Sequence, residues 1–84
     1  MPTVLVVRGW RLYFFSDEGS EPMHIHAVKA GAEAKIWLLV ESFEIEFAHE
    51  HGLSPTLRRE LRRLVFEHFD EIVEAWRLHF GERS

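Results

Sequence analysis

"HIHAVKAGAEAKIWL", residues 24–38, consists of two alternating arms joined at Gly31. Side chains on a strand point to opposite faces with a period of two. His24, His26 and Val28 therefore share one face of the first arm, and Ile25 and Ala27 share the other. The stretch reads as a β-hairpin. Upstream, TVLVVR from Thr3 is β-branched and apolar, Gly9 marks a turn, and WRLYFFS resumes from Trp10, which makes an earlier hairpin. DEGSEP, Asp17 to Pro22, is a polar loop between the two. Downstream, SFEIE from Ser42 alternates as well, with Phe43, Ile45 and Phe47 on one side. A fifth strand fits that pattern, and a helix through FEIEFAHEH, residues 43–51, is the competing assignment.

Gly52 closes that segment, and Ser54-Pro55 has the form of an N-cap followed by proline in the first helical position. From there to Phe80 nothing interrupts a helix. Leu57, Leu61, Leu64, His68, Ile72, Ala75 and His79 follow helical spacing, with Val65, Phe69 and Trp76 widening the apolar arc and Gly81 as the stop. The expected fold is α+β: a small antiparallel sheet of four to five strands, followed by one long C-terminal helix packed across it. Leu61, Leu64, Ile72 and Trp76 are expected to be buried against the sheet.

With 84 residues the chain has room for a single domain, residues 1–84, and a domain so small gains from a partner, a second copy of itself included. Three Trp, one Tyr and seven Phe argue for a packed core and against disorder. The absence of cysteine excludes disulfides and thiolate zinc sites and fits a reducing compartment. Arg8 and Arg11 interrupt the apolar opening, so no signal peptide is expected, and no uncharged stretch approaches a bilayer span. A cytoplasmic, membrane-free protein is the expectation. The net charge is -4, opposite in sign to that of a protein held on nucleic acid by bulk attraction. The charges are clustered, however. Glu41, Glu44, Glu46 and Glu50 crowd one segment, and Arg58, Arg59, Arg62 and Arg63 the next.

Histidines at i and i+2 on a strand present two imidazoles on one side, which suits a general acid and base pair near neutral pH, or metal ligation. His49 and His51 repeat the spacing, so a divalent metal such as zinc on His24, His26, His49 and His51 is the cofactor alternative to none at all. Packing or a backbone hydrogen bond for one histidine of each pair and solvation for the other is the alternative, and for His49 and His51 it is the favoured one. Arg58 and Arg62, one helical turn apart, offer guanidinium groups to phosphate or to an acidic partner. Trp10, Trp37 and Trp76 are expected in the core. No phosphate-cradling glycine motif and no nucleophile elbow is present.

MPTVL, the strand RLYFFS, the run EG-EP-HIH, AKIWL, GLS before a helix and a closing EAW-HF together resemble a family of small bacterial proteins classed as a domain of unknown function. Members of that family are described as DhiT-type toxins of type II toxin–antitoxin pairs. The resemblance runs nearly end to end, and HIH after Glu-Pro is its most specific mark. It implies a cytoplasmic toxin neutralised by a cognate antitoxin. Two activities are compatible with it. One is a metal-independent endoribonuclease, in which one of His24 and His26 deprotonates a ribose 2′-hydroxyl and the other protonates the leaving oxygen. Glu21 would then orient an imidazole, and Lys29, Lys35, Arg58 and Arg62 would hold the RNA phosphate. The other is a non-catalytic binding module that inhibits a cellular target by occupying it.

Overall fold

The computed structural model describes residues 3–17 and 19–81, so Met1, Pro2 and Glu18 of the quoted motifs lie outside the described residues. Five strands follow one another in an antiparallel sheet whose spatial order is the chain order: β1 (Thr3–Val7), β2 (Trp10–Tyr13), β3 (His24–Lys29), β4 (Ala32–Leu39) and β5 (Glu44–His51). Residues 44–51 are therefore strand, not helix. Two of the connections are two-residue turns with both residues at positive φ: Arg8 (53°) with Gly9 (85°), and Ala30 (47°) with Gly31 (89°). That is the signature of a type I′ turn, whose twist matches the twist of the strands it joins.

Two helices, α1 (Pro55–Glu67) and α2 (Phe69–Phe80), cover one face of the sheet. Ser54 caps α1 as its sequence suggests, its Oγ accepting the Leu57 N–H at 3.1 Å. The single helix expected from Ser54 to Phe80 is not formed. At His68 the backbone leaves the helical basin (φ -110°, ψ 22°), and its imidazole Nδ1 lies 3.0 Å from Glu71 Oε1. A straight helix over residues 55–80 would be about 39 Å long. The largest extent of the molecule is 35 Å, so a rod of that length would overhang the sheet. Bending at His68 lets Leu64 and Val65 before it and Phe69 and Ile72 after it all remain buried.

The core lies between the helices and the sheet. Trp10, Leu12 and Phe14 reach it from β2 and its exit, Ile25 and Ile36 from the centre of the sheet, and Leu61, Leu64, Ile72 and Trp76 from the helices; all are at most 2% exposed. Ala27 and Ala34, paired across β3 and β4, keep the middle of the sheet low enough for the large helical side chains to interdigitate. Trp10 lies wholly within this core, and its indole Nε1–H donates to Glu60 Oε1 of α1 at 3.2 Å. That bond comes first, and the Lys29 ammonium 3.3 Å away second, in holding the Glu60 carboxyl below the usual carboxylate range.

Candidate functional site

The face of the sheet turned away from the helices is set by the same alternation that builds the core. In β2 and the residues after it, Trp10, Leu12 and Phe14 are buried, so Arg11, Tyr13 and Phe15 emerge on the other side. Tyr13 pairs with His26, His26 with Lys35, and Lys35 with His49, a continuous row across β2, β3, β4 and β5. The next row places His24 beside Trp37, and Trp37 beside Glu46.

This face is aromatic and cationic at its centre. His26 stacks on Tyr13, with centroids 5.3 Å apart and 19° between planes, and meets Phe15 edge-on at 5.1 Å. The Arg11 guanidinium lies 4.8 Å from the Tyr13 centroid, and the Lys35 ammonium 4.6 Å from that of Trp37. Each cation is thus held against the negative face of a ring instead of extending freely into water. Lys35 also donates to Glu21 Oε1 at 2.8 Å.

The two histidines of HIH share a face as expected, with centroids 5.2 Å apart and planes at 89°. Their environments differ. His24 is 0% exposed, enclosed by Trp37, His26 and Trp76 of α2, whereas His26 is half-buried at the surface. The His24 Nδ1 lies 2.9 Å from the Pro22 carbonyl oxygen, which can only accept, so Nδ1 carries the proton and the ring is fixed in orientation. Glu21 Oε1 stands 3.9 Å from the same nitrogen. The Pro22 carbonyl of the Glu-Pro turn thus orients the His24 ring.

Of the cations chosen from the sequence, Lys35 alone joins this face. Lys29 points to the helix side and bonds Glu60. Arg58 is bound to Glu50 at 3.1 Å and covers Phe47, and Arg62 lies over Phe66, both on α1. The four histidines considered for a metal do not form one cluster: His24 is enclosed, while His26 and His49 flank Lys35 of β4. Among the described residues no group of three or more His, Cys, Asp or Glu is arranged to hold a metal ion. Tyr13, Phe15 and Trp37 belong to the face although their aromatic character suggests core. The alternation in WRLYFF and AKIWL is the signal that assigns them.

Compared with known families, the chain matches DUF4160, a domain of unknown function, over residues 9–77. The protein belongs to the DUF4160 family. Comparison with curated proteins and with solved structures gave no match. The span shared with DUF4160 takes in the open-face residues from Arg11 to His51 and all of α1. Among the described residues of this DUF4160 protein, no helix is long and apolar enough to cross a membrane.

Proposed function

We propose that this DUF4160 protein is the toxin of a type II toxin–antitoxin pair and that it acts on RNA through the open face of its sheet. The toxin reading is supported by the resemblance carried by HIH and its flanking motifs. The RNA reading is supported above all by one observation: the cluster of rings that reach the open face, Phe15 exposed and Tyr13, His26 and Trp37 half-buried, with Arg11 and Lys35 lying against Tyr13 and Trp37. Unpaired bases stack on aromatic side chains presented by a sheet, each such contact contributing about 1–3 kcal/mol, while cations beside the rings meet the phosphates. Strands β2 and β3 contribute no carboxylate to this face; those it carries, Glu33, Glu44 and Glu46, come from β4 and β5, and Glu21 is bound to Lys35.

Within this reading His26 is the imidazole that touches RNA, and the fully buried His24 positions it. The experiment is digestion of total RNA by the purified protein with and without a chelator, beside growth inhibition in cells. The wild type is expected to cleave in the presence of chelator, and His26→Ala to lose both activities while remaining folded. Intact RNA at growth-inhibitory concentrations, together with full toxicity of His26→Ala, would overturn the catalytic reading in favour of inhibition by occupancy. That second reading draws on the burial of His24, which removes one of the two HIH rings from any direct contact with substrate.

A further inference from the structure

We infer that His49 is the second proton-transfer group of the site, acting with His26 from opposite sides of Lys35 on an RNA phosphodiester; this rests on the reading of the protein as an RNA-directed toxin. Cleavage through the 2′-hydroxyl needs both a base and an acid. His24, the neighbour offered by sequence, is enclosed by Trp37 and Trp76. The fold supplies a different partner.

It does so by a β-bulge. Ile45 and Phe47 pack toward the helices, and continued alternation would send His49 and His51 the same way. Instead Ile36 pairs with Phe47 while the adjacent Lys35 pairs with His49, leaving Ala48 as an extra residue in β5. Parity reverses at that point, so His49 and His51 emerge on the open face and Glu50 turns to the helix side, where it binds Arg58. Bulges commonly re-aim side chains beside functional sites. The row then reads His26, Lys35, His49 on three successive strands. A cleft of about 230 Å³ opens over it, lined by both imidazoles, Lys35, Tyr13, Phe15 and Glu33. Two inter-strand spacings set the backbones of His26 and His49 about 10 Å apart, which leaves room for a phosphodiester between the two side chains.

The chemistry follows from the neighbours. The base of the nucleotide stacks at Tyr13 and Phe15, which brings its ribose to His26. His26 accepts the proton of the 2′-hydroxyl, and the 2′-oxygen forms a bond to phosphorus. The bond from phosphorus to the 5′-oxygen breaks, and His49, entering as imidazolium, gives that oxygen its proton. The products are a 2′,3′-cyclic phosphate and a 5′-hydroxyl, with no change of oxidation state and no metal in the balance. Lys35 opposes the negative charge that builds on the non-bridging oxygens.

The test is single-turnover cleavage of a short RNA, with chelator present, by wild type, His49→Ala, His49→Gln and His51→Ala. Loss of a general acid is expected to slow cleavage by His49→Ala and His49→Gln about 10²- to 10⁴-fold. Binding of the uncleavable 2′-O-methyl RNA should stay within about twofold of wild type, since the lost interaction belongs to the transition state. His51→Ala, altered on the same face and strand, should cleave normally. A substrate with sulfur in place of the bridging 5′-oxygen has a leaving group that needs no proton, and it should be cut by the His49 variants nearly as fast as by wild type. Wild-type cleavage of the oxygen substrate by the His49 variants, or a deficit that the sulfur substrate does not repair, would overturn the assignment and leave the RNA-directed reading standing. A wild type that cleaves neither substrate would remove the catalytic reading and this assignment together.

Discussion

His24 and His26 are two residues apart and chemically identical, yet one is enclosed and the other meets solvent. The difference is where β2 ends. At Tyr13, β2 still covers the flank of His26, but beyond it the chain leaves the sheet and Trp76 of α2 comes within 5.0 Å of the His24 ring. Alternation in HIHAVK places both rings on one side and is right about that. It carries no information about a tryptophan some fifty positions later, so burial was not legible. Two residue-scale outcomes follow from other positions. Ala30 occupies a left-handed turn position (φ 47°) that alanine tolerates poorly and asparagine well, so Ala30→Asn should stabilise the fold by about 0.5–1 kcal/mol. A rise in the denaturant midpoint at unchanged slope checks it. Glu60 has a lowered carboxyl pKa because its ionised form binds the Trp10 indole and Lys29. A lowered carboxylate contributes stability that is complete above the ordinary carboxylate range and is lost as pH falls from that range through the lowered folded-state value. The melting temperature of Glu60→Gln should therefore trail wild type near neutral pH, and the gap should close on acidification.

At the scale of elements, the strands and the helix start were legible because their signals are local. Period-two alternation, Gly-centred turns and a Ser-Pro cap lie within a few residues of what they determine. The bend at His68 was not, because no proline or glycine marks it; it answers to the length of the sheet the helices must follow. The bulge at Ala48 was equally silent, since two opposing strands must be known before an extra residue in one of them has meaning. That single residue reverses the faces of His49 and His51 relative to Ile45 and Phe47. Helix α2 packs on the sheet side through Trp76, which meets Phe14 at 5.5 Å and His24 at 5.0 Å. Trp76→Ala should cost about 3–5 kcal/mol, as expected for a large aromatic side chain removed from a packed core. Chemical denaturation measures this, and a loss below about 0.5 kcal/mol would be that of a surface residue.

Viewed as a whole molecule, the protein divides its cations between two faces, and Lys29, Lys35 and Arg58 are each paired with a local carboxylate. Arg58 and Arg62 lie on α1, behind the sheet, whereas Arg11 and Lys35 lie on the open face with the aromatic rings. RNA held by the open face should release counterions through few cations, so its salt dependence should be shallow, and Lys35→Ala should lower the slope of log affinity against log salt by about 0.7, one phosphate contact on a single strand. Charge reversal at Arg58 and Arg62 should leave RNA binding unchanged and weaken the complex with the antitoxin, which co-purification of the pair would show. The placement of RNA on the open face is the claim on which the rest depends, and titration of ¹⁵N-labelled protein with a short single-stranded RNA tests it most directly. Amide shifts are predicted to concentrate at Tyr13, Phe15, His26, Lys35, Trp37 and His49 and to disappear when Tyr13 and Trp37 are replaced by alanine in a protein that stays folded. Shifts confined to α1 and α2, or none at millimolar RNA, would contradict it.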